Sequence, residues 1–116
     1  MSQELVNRAV EACNGCATAC QHCILACLEE DNVGHLKRCI QLDLECAALC
    51  RSAAEIMTLK SVHSGEICKI CAVACHACAE ECEKHAQMGM EHCRVCAEAC
   101  RKCAQICEEV ARGIQH

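Results

Sequence analysis

The chain has 116 residues, a formal net charge of -5, no Phe, Tyr, Trp or Pro, and 18 Cys. One domain with one core is expected at this length, yet bulky apolar side chains are too few to fill it, and the hydrophobic share of 53% is carried largely by Cys and Ala. Lys and Arg alternate with Asp and Glu, which excludes a basic patch or aromatic platform for nucleic acid, and no run approaches the roughly 20 apolar residues that cross a bilayer.

From Met1 to Glu11 there is no basic stretch leading into an apolar run and no twin arginine. A cytoplasmic, reducing location is expected, where many Cys point to metal rather than to disulfides. The first helix is expected over 3–30, with Ser2 as its cap. It carries C-x-x-C-x-x-x-C-x-x-C-x-x-x-C as Cys13, Cys16, Cys20, Cys23 and Cys27. Alternating steps of three and four average 3.5 residues, so the five thiols form one stripe along a helix. After the break at Glu30 to Gly34, with Asn32 as a cap, a second helix is expected over 33–58 with Cys39, Cys46 and Cys50. The break from Thr58 to Gly65 offers Ser61 or Ser64 as caps. A third helix over 64–86 repeats the quintet at Cys68, Cys71, Cys75, Cys78 and Cys82, and Gly89 follows as a stop. The fourth, over 90–113, carries it again at Cys93, Cys96, Cys100, Cys103 and Cys107. Helix-favouring Ala, Glu, Lys, Gln and Arg fill the intervals. Short connections make neighbours antiparallel, so the expected fold is a single all-α, up-down-up-down four-helix bundle with a cysteine-lined core.

On a heptad with Cys13, Cys68 and Cys93 at position a, every quintet cysteine falls at a or d. In the second helix Cys39, Cys46 and Cys50 take d, d and a, and the intervening a position is Asp43. Two arrangements remain open there: Asp43 points into the sulfur lane, or a slight rotation turns Leu42 inward and Asp43 to water. Extended past the cysteines, the lanes meet Val6, Ala9, Ala53, Met57, Val110 and Ile114 at the end that holds both termini, with Leu5, Ile56, Leu59, Val62 and Ile67 nearby, an expected apolar plug. At the other end they meet Glu30, His35 beside Leu36, and His85, then Met88, Met90 and His92. His85 takes the next d position and is the strongest non-thiol ligand candidate. His35, Met88, Met90 and His92 are candidates for admitting metal. His22 and His76 fall at outward letters and are expected in solvent, as are the apolar Leu25, Leu44 and Val73, which either lie scattered or form a homo-oligomer interface.

A few cysteines can serve as small hydrophobes, but three strict quintets exceed that need. Disulfides require a specific separation and dihedral, whereas a helical stripe gives each sulfur neighbours on its own helix. Zinc sites gather four ligands around a turn, and several Zn²⁺ tetrathiolates side by side would leave costly net charge in a dry core. One Cu(I) per thiolate keeps that core near neutral, soft thiolate prefers Cu(I), and i,i+3 or i,i+4 thiols can flank a two-coordinate ion. The iron-sulfur and attached-haem spacings are absent, as is the Glu-x-x-His of di-iron bundles. An enzyme nucleophile would call for one activated thiol.

The repeated quintets on four helices with inward sulfurs resemble the cysteine-rich four-helix copper storage proteins of bacteria, and the missing export signal is similar to their cytosolic branch. The resemblance covers nearly the whole chain. It implies a non-enzymatic store of multiple Cu(I) ions held mostly by pairs of thiolates, and a tetramer of bundles. By position it makes all eighteen cysteines ligands and Asp43 a polar ligand; the second helix, with three cysteines, departs from the pattern. A copper donor protein or small thiol is an expected partner. The rival readings are a thiol redox buffer or sensor and a zinc or heavy-metal sequestering protein akin to a helical metallothionein.

Overall fold

The computed structural model describes residues 2–114, the side chain of Ile114 excepted. Four helices follow one another: α1 (Gln3–Leu28), α2 (Lys37–Thr58), α3 (Ser64–Ala86) and α4 (Glu91–Ile114), with a short 3-10 turn, Val33–Leu36, ahead of α2. Each packs on two others, α1 on α2 and α4, α3 on α4 and α2, so α1 lies diagonally across the bundle from α3. The result is an antiparallel bundle with principal extents of 48 × 20 × 18 Å.

The heptad registers hold in all four helices. From the 3-10 turn into α2 the a and d series reads Leu36, Cys39, Asp43, Cys46, Cys50, Ala53 and Met57, every member buried. In α3 the series runs from Ser64 through the quintet to His85, and in α4 through the quintet to Val110, again buried throughout. Alanine flanks these stripes at Ala17, Ala47, Ala54, Ala72, Ala79, Ala97 and Ala104, all buried. Such small flanks let the helices approach until sulfurs from different lanes touch, which is how a core without aromatic residues reaches close packing.

Helix ends follow local chemistry, with two departures from expectation. Ser2 caps α1 by accepting a hydrogen bond from the Leu5 amide at 3.1 Å. At the second helix, Asn32 makes no side-chain cap bond and the chain passes through the 3-10 turn, so α2 begins at Lys37, four residues later than the sequence predicts. Ser61 shapes the α2–α3 turn by accepting from the His63 amide at 3.0 Å, and His63 takes the cap position of α3. Gly89, at φ 93°, ends α3 as expected: Met90 N bonds His85 O and Gly89 N bonds Ala86 O, the pairing of a Schellman close that favours a residue without Cβ. Lys60 plays the same part after α2 at φ 55°, with bonds from Ser61 N to Ile56 O and Lys60 N to Met57 O.

At the end that holds the termini, Val6, Ala9, Ala53, Met57 and Val110 are buried, and Leu5 and Ile67 pack against them. Leu59 and Val62, expected beside this plug, are 76% and 81% exposed, because both lie in the turn beyond the last helical lane position. The side chain of Ile114 lies outside the described residues. As Val110 is fully buried, Val110→Ala should destabilise the apo bundle by about 2 kcal/mol, from lost burial plus the cavity left behind. Urea unfolding of the metal-free, reduced protein checks this.

Candidate metal centre

All eighteen cysteines are buried, as free thiols, on the inner face of their helices. They form one column. Toward the terminus-bearing end, Cys13 lies 3.6 Å from Cys107 and 3.7 Å from Cys103, and Cys50 lies 3.6 Å from Cys71. At mid-height Cys46 meets Cys75 at 3.5 Å and Cys16 at 3.8 Å, while Cys16 meets Cys100 at 3.7 Å. Higher still, Cys96 approaches Cys20 at 3.9 Å, Cys39 approaches Cys82 at 3.7 Å, and Cys23 approaches Cys27 at 3.9 Å. Most of these contacts join different helices, so the lanes that separate thiols along the sequence are zipped together by the bundle.

Four-sulfur groups result, each with all ligand atoms within 4.8 Å of one another: Cys13, Cys71, Cys103 and Cys107; Cys16, Cys46, Cys50 and Cys75; Cys20, Cys78, Cys96 and Cys100; Cys23, Cys27, Cys39 and Cys93. Tetrahedral sets are therefore present without a ligand-bearing turn, because they are assembled across helices. Edges near 3.8 Å suit a tetrahedral ion with roughly 2.3 Å bonds. The choice of metal therefore rests on charge and softness. Each tetrathiolate of a divalent ion leaves a net double negative charge, and stacked in a dry column such charges are costly. One monovalent ion per thiolate leaves none.

Hydrogen bonding among the thiols divides them. Donation from Cys103, then Cys107, lowers Cys13 to about 6; Cys16, Cys46 and Cys96 are likewise pushed down, most strongly by hydrogen bonding with Cys100, and Cys71 by Cys103. Burial pushes Cys27 up to about 12, and Cys100 and Cys103, which would lose their bonding partners on ionising, are pushed up as well. The apo column is thus a network in which protonated thiols support a few neighbours poised to ionise.

Asp43 stands inside the column. Its Oδ1 accepts from Cys78 at 3.0 Å, Cys96 at 3.3 Å and Cys82 at 3.8 Å, and Oδ2 lies 3.9 Å from Cys39. Of the two arrangements left open by the sequence, the inward one is found for Asp43, yet Leu42 is buried with it, 7% exposed at the seam. No rotation is needed because a and g positions both face inward where helices approach this closely.

The end away from the termini holds His85 and His92. His92 Nδ1 lies 3.5 Å from Cys93 Sγ and 3.8 Å from Cys23 Sγ, and its buried Nε2 has no hydrogen-bond partner. His85 is buried at its predicted lane position, but its Nε2 pairs with Glu81 Oε2 at 3.0 Å. Glu81, an i,i+4 neighbour on the same helix face, is a site residue that the cysteine pattern gave no reason to single out. Met90 packs against the core, whereas His35 and Met88 are exposed. His22 is exposed as expected; His76 is half-buried instead, held by Glu108 at 3.3 Å and Arg101 at 3.3 Å across the α3–α4 face.

Burial, then the charges of Cys96 and Cys39, pushes Asp43 from its ordinary 3.8 up to about 8. A carboxyl whose folded value lies above its unfolded one stabilises the fold fully below the unfolded value, and that contribution is lost as pH rises through the folded value. Apo stability should therefore fall between about pH 4 and pH 8 through Asp43. Asp43→Asn should remove this slope and stabilise the apo protein at pH 8 by an amount on the order of a few kcal/mol, as read by denaturant unfolding at pH 5 and pH 8.

Comparison with known proteins bears on this column. The family described as copper storage protein matches residues 2–112. A cytosolic copper storage protein from Streptomyces lividans carrying five coppers superposes with a TM-score of 0.89 at 41% identity, covering 95% of this chain and 94% of that one. The Cu(I)-bound copper storage protein BsCsp3 of Bacillus subtilis superposes with a TM-score of 0.86 at 44% identity, covering 92% of this chain and 98% of that one. The uncharacterized cysteine-rich protein YhjQ of Bacillus subtilis strain 168 is 46% identical over 63 residues, 54% of this chain and 58% of its own length. With four helices, three sulfur quintets and a shared fold along nearly its whole length, the chain belongs to the copper storage protein family.

Proposed function

We propose that this chain is a cytosolic store or sink for Cu(I), with residues 1–116 acting as one storage domain. The observation that carries the reading is the column of eighteen buried thiols, most of them hydrogen-bonded to another thiol at 3.5 to 4.0 Å, in a chain of this family. The quintet cysteines with Cys39, Cys46 and Cys50 are the ligands, and Asp43 is a polar ligand at mid-column. The chemistry is exchange of protons for metal: each Cu(I) displaces a proton from a thiol, and the ionised members of the network are the first to receive it. Binding to the folded state alone raises stability by mass action.

No catalysis is needed for this role, and the thiols are too buried to serve as nucleophiles for substrates. The same burial weighs against a redox sensor, which depends on accessible, low-pKa cysteines. The cytosolic placement draws on the cytosolic Streptomyces lividans relative. Assembly of bundles, a tetramer by the family resemblance, is supported by Leu25, Leu44 and Val73, which are 60%, 56% and 60% exposed on three different helices. A copper donor protein or a small thiol would deliver the metal.

Anaerobic titration with Cu(I) against a competing chelator tests the store directly. Uptake approaching about one equivalent per cysteine is expected from the preference of thiolate for Cu(I); saturation after a few equivalents would refute it. We further assign metal admission to the imidazole end, where His92 pairs a buried, unpartnered nitrogen with two thiols. Replacing His85 and His92 should slow copper uptake in stopped-flow measurements and leave final capacity nearly unchanged. An unaltered rate would remove these residues from the admission route.

A further inference from the structure

The opposite end of the column contains a sulfur that the cysteine count leaves out. Among the described residues, Cys68, Cys78 and Cys93 have no thiol as hydrogen-bond partner, and each meets a different group instead. Cys78 donates to Asp43 at 3.0 Å, Cys93 lies 3.5 Å from the His92 imidazole, and Cys68 donates to the thioether of Met57 at 3.4 Å. Met57 is 1% exposed and Cys68 fully buried. The next tier inward is the four-thiol group of Cys13, Cys71, Cys103 and Cys107. On its other side Met57 borders a hollow of about 210 Å³, lined also by Gln3, Val6, Lys60, Ser61 and Ser64. Among the described residues it is the outermost sulfur of the column at this end.

We propose that Cys68 and Met57 form a mixed thiolate–thioether Cu(I) site that terminates the metal column at the end bearing the chain termini. The assignment rests on the storage reading above and extends it to a residue outside the cysteine set. Thioether sulfur, like thiolate, selects Cu(I) among the common metals. On binding, Cys68 gives up one proton and forms one S–Cu bond, while Met57 donates a lone pair and releases nothing. Cu(I) with one thiolate and one thioether is therefore neutral, which matters beside Val6, Ala53 and Val110, where a second unshared thiolate would leave an uncompensated buried charge. The two sulfurs must open slightly from 3.4 Å to straddle an ion, and the three rotatable bonds of Met allow that without moving the helix. Divalent zinc, which takes thiolate, imidazole and carboxylate, has no use for this thioether.

The test uses full-length selenomethionyl protein carrying Met88→Leu and Met90→Leu, which leaves Met1 and Met57 as its two selenium sites. It is loaded anaerobically with Cu(I), with copper content measured on the same sample and Met1-only protein (Met57→Leu added) as the reference. Selenium-edge X-ray absorption should show a Se–Cu shell, and that shell should vanish when Met57→Leu is added. Leu is close in volume to Met, so the bundle is retained. A protein that fills with copper but shows no Se–Cu shell, or one whose shell survives Met57→Leu, overturns the site while leaving the store intact. Wild-type protein loaded in parallel that takes up no copper overturns both, and the measured copper content tells the two failures apart.

Discussion

Everything in this molecule depends on keeping eighteen thiols dry and in one close-set column. Sulfur gives a core less apolar volume than leucine or phenylalanine, so the helices must close in further than in an ordinary bundle. The buried alanines beside each lane permit that approach. The same closeness converts four separate stripes into a column of four-sulfur groups. Packing and ligand geometry are thus one property here, since a residue that spread the helices would both open a void and pull thiols out of reach of a shared ion.

A column of thiols is also an electrostatic object. Protonated, it is a neutral hydrogen-bonded network. Stripped of protons without metal, it would be a row of buried anions whose repulsion no solvent relieves. A monovalent soft cation replaces each proton charge for charge, which lets the column fill without changing its net charge. Asp43 fits that logic, because among protonated thiols it is held largely as the neutral acid, accepting from Cys78 and Cys96. Its carboxyl also stands where the shortest lane lacks a thiol, so the interruption in α2 is filled by another buried group that can carry a proton.

The column ends differently at its two mouths. At one, His92 brings an imidazole between Cys23 and Cys93, and His85 is tethered by Glu81. At the other, Met57 backs onto Cys68 beneath an apolar cap. In each case a thiol without a thiol partner is matched with another ligand type.

Much of this was legible in the sequence. The 3-4-3-4 spacing of the three quintets, with the heptad spacing of Cys39, Cys46 and Cys50, determined four helices, their inward faces and, with short breaks, their antiparallel order, because helical periodicity alone decides which residues share a face. It also determined the chemistry of the core, since so many thiols on inward faces leave few roles open to them. The sequence could not decide what meets across the faces. That Asp43 and Leu42 are both buried, that His85 turns to Glu81, that α2 starts at Lys37 after a 3-10 turn, and that Leu59 and Val62 point to solvent all depend on how closely the helices approach and where each turn closes. Tetrahedral sulfur groups and the Met57–Cys68 contact are likewise tertiary facts. Periodicity assigns a residue to a lane, but its partner is set by the relative height of two lanes, and that height is fixed only when the whole bundle packs.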